Sequence, residues 1–265
     1  MNKRKHPHRN RPSAPASHPR TSVSGIWIYG RHAGIAALCN SRRKIIRVLV
    51  RHADPDVDGL NLPKLQIQPE VVDRQSLEAV LPPDAVHQGL AVLVAPLPPI
   101  DLPHLLTRPE YQESVTLLVL DQAHDPRNIG AVLRTAAAFG VAAVLVPDRG
   151  SPDESGPLAK AATGALEIVP LVRVTNLVRT LEDLKHDGFW CIGLDGHTDR
   201  EISDIDFTGR IVITLGAEGK GLRRLTRETC DHLGKIPISN DMESLNLSNA
   251  AAITLYEASR QRLKK

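Results

Sequence analysis

The chain has 265 residues, 42% of them hydrophobic and 24% charged, enough for two ordinary cores in a globular protein. No apolar stretch approaches the roughly 20 residues needed to span a bilayer, so no membrane partner is expected. Three scattered cysteines (Cys39, Cys191, Cys230), without a CxxC pair, argue against a disulfide framework or a zinc site and for a reducing compartment, the cytoplasm.

The net charge of +3 hides a split. Residues 1–22 carry six Lys or Arg and no acid, while the remainder holds 27 basic and 30 acidic residues. Residues 1–24 read as a disordered basic tail: the segment is rich in Pro, His and Ser, and too poor in apolar residues for a core. Such an arm is expected to strengthen binding to a polyanion. It lacks the apolar region of a secretory signal.

Residues 25–97 read as a small α/β unit, from "GIWIYGRHAGIAALCNSRRKIIRVLV" to "HQGLAVLVAPL". The proline-rich stretch over 98–113 reads as a linker. From 114 to 265 strand and helix alternate. Candidate strands lie at 115–121, 142–147, 166–174, 190–195 and 211–216, most of them near-continuous apolar runs, as in strands buried on both faces. Helices are expected over "NIGAVLRTAAAFG", closed by Gly140, and over "NLVRTLEDLKHDG", opened by Asn176 and closed by Gly188. The fold class is α/β, a parallel sheet covered by helices.

In such sheets ligands bind beyond the carboxyl ends of the strands, and three loops there are polar. The first leads into "NIGAVLRT", with Asn128 near a helix start and Arg134 six residues later. The second, "LGAEGKGL", offers Gly216, Gly219 and Gly221 around Glu218, and matches neither a Walker loop nor GxGxxG. The third, "IPISNDMESLNLSNAAA", places seven small or acidic polar side chains before a helix expected near Leu247. Ser244 or Asn246 suffices as its cap, leaving N–H groups for an anion; the surplus points to a ligand. Taken singly, each loop is also explained as a turn, a cap or a solvated face.

Together and in this order, the three stretches resemble the signature motifs of the SpoU family of RNA ribose 2′-O-methyltransferases, within the SPOUT superfamily. The resemblance spans about residues 26–262; "YGRHAGIAAL" and "HQGLAV" look like the family's small ribosomal-protein-like RNA-binding amino-terminal domain. Within the family the chain is most similar to bacterial 23S rRNA guanosine 2′-O-methyltransferases. Asn240 departs from the glycine usual there, and Asn tolerates the left-handed conformation.

The resemblance implies a carboxy-terminal domain tied in a trefoil knot, S-adenosylmethionine as methyl donor without a metal, and a homodimer with its active site at the interface. It implies that loops around Gly216, Ile236 and Leu245 enclose the cofactor, while Asn128, Arg134, Glu218, Ser244 and Asn246 carry catalysis. A guanidinium, with pKa above about 12, is a poor proton acceptor. Arg134 is therefore expected to pair with a phosphate and the developing alkoxide, and Glu218 to orient Arg134 or another donor. Arg31, His32, Arg42, Arg43 and Lys44, with Arg47 and Arg51, are candidates for an RNA phosphate patch. His32 and His87 are expected to satisfy local hydrogen bonds. Two other functions stay open, a tRNA ribose methyltransferase and a non-catalytic RNA-binding or ribosome-assembly protein.

Overall fold

The computed structural model describes residues 25–52, 67–239 and 241–263. The basic tail and Asn240 lie outside them.

The amino-terminal unit is a four-stranded sheet in the order β1-β4-β2-β3. Its strands are β1 (Ile26–Tyr29), β2 (Ile45–Val50), β3 (Glu70–Val71) and β4 (Leu90–Val94). Helix α1 (Arg31–Cys39) follows β1, and the short α2 (Arg74–Glu78), capped by Asp73, precedes β4. β4 pairs antiparallel with β1 and with β2. Within 98–113, α3 (Leu102–Leu106) buries Leu102, Leu105 and Leu106.

The carboxy-terminal unit is built on a six-stranded sheet, parallel throughout, ordered β10-β8-β9-β5-β6-β7. Strand β5 (Val115–Leu120) is followed by α4 (Pro126–Ala138), then β6 (Ala143–Pro147), α5 (Gly156–Ala162) and β7 (Leu171–Val174). Helix α6 (Leu177–His186), β8 (Trp190–Leu194) and β9 (Arg210–Leu215) come next. The short α7 (Arg224–Thr229), β10 (His232–Gly234) and α8 (Leu247–Arg262) complete the chain. The helix ends follow local chemistry. Asp125 caps α4 ahead of Pro126, Asn176 caps α6, and Gly140 and Gly188 take the left-handed conformation just after the helices they end.

The strand expected over 166–174 is shorter. Residues 165–167 form a 3-10 turn with Glu167 nearly buried, and only Leu171–Val174 joins the sheet. The apolar run before the third loop is not a strand; pairing ends at Gly234, with one further bridge from Lys235 to Glu201.

Both sheet faces are covered. Leu177, Leu181 and Leu184 of α6 pack with Val115, Cys191 and Val212 on one face. On the other, Leu247, Ala251, Leu255 and Ala258 of α8 join Ile211, Ile213, Ile129 and Leu133. That second cluster runs on into Ile28, Val48, Leu90 and Val92, so the two units share one core.

Strand order also fixes where a ligand can sit. β5 and β9 are neighbours, yet the chain leaves β5 for β6 on one side and β9 for β10 beyond β8 on the other. Connections that diverge from adjacent parallel strands open a crevice at their carboxyl ends.

Candidate active site

Three residues far apart in sequence meet at that crevice. Asn128, in the first turn of α4, donates from Nδ2 to Glu218 Oε1 at 2.8 Å. Asn246 donates from Nδ2 to the same oxygen at 2.8 Å and to Asn128 Oδ1 at 3.2 Å. The backbone N–H of Leu247, first residue of α8, donates to Glu218 Oε1 at 3.0 Å. The positive end of α8 therefore faces a carboxylate from the chain itself, and the anion expected at this helix start is Glu218.

Asn246 also caps α8, its Oδ1 accepting from Ser248 N and Ser248 Oγ at 2.9 and 2.6 Å. Ser239 and Asp241 bond each other within a turn. Ser244 and Glu243 are exposed and make no hydrogen bond among the described residues. The polar surplus of the third loop thus divides into residues that shape the loop and residues left facing outward.

The glycine-rich loop owes its shape to a close approach. Ala217 and Gly221 exchange backbone hydrogen bonds of 3.1 and 2.9 Å, and Gly219 and Gly221 have φ of 75° and 66°. A Cβ on Gly216 would collide with the Gly221 and Leu222 backbone. Gly216 is thus required by the loop's own closure. Asp121, fully buried at the end of β5, accepts from Arg223 Nε at 2.7 Å and from Arg223 N at 3.0 Å. This anchor of the loop was missed in the sequence, where Asp121 stands as the polar end of an apolar strand.

Arg134 is exposed on α4, and its side chain makes no hydrogen bond or ion pair among the described residues. Six residues beyond Asn128, it stands about 9 Å further along the helix axis. Glu218 therefore orients Asn128 and Asn246, not Arg134.

Ile236 is partly buried against the main core, and the N–H groups of Ile236 and Ile238 have no acceptor among the described residues. Leu245 is partly buried. Backbone N–H groups without internal acceptors, next to apolar surface, are open to a ligand that offers both a hydrogen-bond acceptor and an apolar face.

The expected RNA patch divides. His32, Arg42 and Lys44 are exposed, and Arg31 is partly exposed, its N–H bound to Gln88. Arg47 is neutralised by a bidentate pair with Glu70 at 2.7 and 2.6 Å. Arg43 is a correction. Its side chain is fully buried, paired with Glu154 and Glu167, and its Nη1 also donates to the Ala95 carbonyl. A buried guanidinium with every neighbour an acceptor presents nothing to a phosphate. His87 Nδ1 accepts from Gly89 N at 3.1 Å, a local bond as expected. Among the described residues no cluster of three His, Cys, Asp or Glu is placed to hold a metal, and no helix is long and apolar enough to cross a membrane.

A sequence-family model described as the SpoU rRNA Methylase family matches residues 116–256. A second, described as RNA 2′-O ribose methyltransferase substrate binding, matches residues 27–100. The chain is 42% identical over 248 residues to the 23S rRNA (guanosine-2′-O-)-methyltransferase RlmB of Vibrio vulnificus, covering 91% of this chain and 99% of that one. It is 40% identical to the RlmB of Pseudomonas putida, covering 90% and 97%. The crystal structure of the SpoU methyltransferase AviRb from Streptomyces viridochromogenes in complex with AdoMet superposes with a TM-score of 0.77 at 25% identity, covering 92% of each chain. Strand order, the loops that meet at its crevice and these likenesses agree: the chain belongs to the SpoU rRNA methylase family.

Proposed function

We propose that the protein transfers a methyl group from S-adenosylmethionine to the 2′-hydroxyl of a guanosine ribose in 23S rRNA. The observation that carries this reading is the junction of Asn128, Glu218 and Asn246 at the crevice, with the Arg134 and Ser244 side chains unpaired among the described residues. The tRNA reading is less well supported, because the amino-terminal unit matches the substrate-binding family model and the curated relatives cover nine-tenths of the chain. A binding-only role needs no such polar junction.

S-adenosylmethionine, when bound, supplies a methyl already activated by the sulfonium charge. Gly216, Ile236 and Leu245 hold it through backbone groups and apolar contact. The ribose 2′-oxygen forms a bond to the methyl carbon as the carbon–sulfur bond breaks, and its proton leaves to solvent or a nearby acceptor. No metal is needed for this displacement. Asn128 and Asn246, fixed by Glu218, and Ser244 hold the 2′-oxygen in line, and such positioning is worth several kcal/mol. Arg134 offers its fork of donors to the adjacent phosphate and the oxygen losing its proton.

The reading includes a homodimer with a shared active site and a cytoplasmic location beside the ribosomal substrate. Arg134 and Ser244, whose side chains have no partner among the described residues, support a second subunit completing the site. It also includes the trefoil knot implied by the family, supported by α8 packing back onto α4 and β9 while its first turn bonds the 216–222 loop.

Incubation with tritiated S-adenosylmethionine and separated unmodified RNA species, followed by mapping of the labelled ribose, tests the reading. Label is expected on a guanosine of 23S rRNA. Label confined to tRNA selects the alternative substrate, and no label on any RNA refutes the enzyme.

A further inference from the structure

Two glycines let the two units meet closely enough to carry a lysine across their seam, and a third seats the helix that bears it. A Cβ on Gly130 of α4 would collide with the Leu158 carbonyl oxygen, so α5 nests on α4 only because that position is bare. A Cβ on Gly156, at the start of α5, would lie 2.5 Å from the Trp27 carbonyl oxygen and 2.5 Å from the Tyr29 ring, so α5 also abuts β1. Gly30, with φ of 89°, leaves vacant the space into which Lys160 of α5 reaches.

There Lys160 Nζ donates to Gln88 Oε1 at 2.8 Å, and the same oxygen accepts the Arg31 N–H at 3.2 Å. Gln88 itself holds a left-handed backbone with φ of 54°, uncommon for a non-glycine residue. The ammonium is thus fixed by a neutral amide and has no carboxylate partner among the described residues. Burial pushes its pKa down, and no charged group offsets that. A second cation acts on the same seam through Tyr29. Arg127, exposed in the first turn of α4 beside Asn128, acts electrostatically on Tyr29, the ring that abuts Gly156.

We propose that Lys160 binds a backbone phosphate of the RNA strand at the seam between the units, with Arg127 as the next contact toward Asn128. The inference rests on the reading of the protein as an RNA methyltransferase. An ammonium held at a fixed point, part-exposed and without a counterion, is satisfied by an anion, and the substrate's regular anion is its phosphodiester. Because Lys160 is tethered to Gln88 of one unit while Arg127 adjoins the catalytic junction of the other, two phosphate contacts set which ribose reaches Asn128. The sequence gives no hint of this, since Lys160 stands alone in "GPLAKAATGA".

The test uses the full chain and unmodified 23S rRNA transcribed in vitro, with filter binding across a range of KCl concentrations and methyl transfer measured in parallel. Lys160→Met keeps the apolar stem and removes the charge. Loss of one phosphate contact should lower the slope of log affinity against log salt by about 0.7 to 0.9. KM for RNA should rise by roughly tenfold, the scale of one lost phosphate contact, with kcat within a few-fold. Lys160→Arg should restore both. An unchanged slope and KM in Lys160→Met, or a lowered melting temperature as its sole effect, overturns the inference, as does Lys160→Arg behaving like Lys160→Met. If the wild-type protein methylates no RNA, the proposed function fails; the salt slope needs no methyl transfer and still decides Lys160.

Discussion

Glu218 Oε1 accepts from Asn246 Nδ2 at 2.8 Å across 28 residues of chain, and through that one oxygen it also holds Asn128 and the first N–H of α8. A carboxylate with three donors on one oxygen fixes both amides at once, so its replacement should be felt at the reacting centre. Glu218→Gln keeps an acceptor but loses the charge that strengthens it. Transfer is expected to fall by about tenfold, and by roughly 10² to 10³ in Glu218→Ala, the range seen when a preorganised contact is removed. Single-turnover tritium transfer measures both, and wild-type rates in Glu218→Ala would remove the junction from the mechanism.

The Arg134 side chain has no partner among the described residues, so its replacement should disturb little of the fold. Arg134→Ala is expected to abolish methyl transfer and leave S-adenosylmethionine binding nearly intact. Arg134→Lys, which keeps a charge without the planar fork, should recover only a small part of the rate. Calorimetric titration with the cofactor beside the transfer assay separates the two effects. Normal transfer by Arg134→Ala refutes the assignment.

The sheet was legible because strands buried on both faces read as unbroken apolar runs, and helix ends because Asp125, Asn176, Gly140 and Gly188 carry their own local chemistry. The run "LEIVPLVRV" misled because a buried 3-10 turn and a buried strand have the same apolar composition, and Glu167 within it finds its partners in another unit. Strand β10 is three residues long and begins with His232, too short for any period to show. The junction of Asn128, Glu218 and Asn246 spans separations of 90, 28 and 118 residues. No spacing rule reaches so far, and only the likeness to a family brought the three together in advance.

Arg43 shows the same limit from the other side. In "SRRK" it is indistinguishable from a surface cation, yet its partners Glu154 and Glu167 lie 111 and 124 residues away. Breaking one side of a buried pair leaves charges uncompensated, so Arg43→Met should destabilise the protein by about 3 to 5 kcal/mol. The triple replacement Arg43→Met, Glu154→Gln, Glu167→Gln should recover much of that loss. Denaturant unfolding measures both, and a loss under about 1 kcal/mol in Arg43→Met would mean that the pairing does not hold the units together.

On α8, Asn249, Ile253 and Tyr256 follow one another at helical spacing on the exposed side, with Ile253 39% and Tyr256 60% accessible. Large apolar side chains aligned this way fit contact with a second subunit. Sedimentation of the wild type is expected to give a dimer and of Tyr256→Arg a monomer with reduced transfer. A wild-type monomer that is fully active would refute the shared site.

The cysteines make the last case. Burial pushes the Cys191 and Cys230 thiols up to about 12, whereas Cys39 is exposed. Under native conditions at pH 8 a thiol reagent should therefore titrate Cys39 quickly and the other two slowly, and guanidinium should release all three. A raised acid pKa in the folded state also fixes how stability depends on pH. Below the ordinary thiol value near 9 both states hold the proton and no stability is lost. From about 9 toward 12 the unfolded chain releases protons that the folded chain retains, and stability falls as pH rises. Replacing Cys191 and Cys230 by Ala and Val should flatten that alkaline decline in denaturant midpoints, even at some cost in packing at pH 7. A decline as steep in the double variant as in the wild type would assign it to other groups.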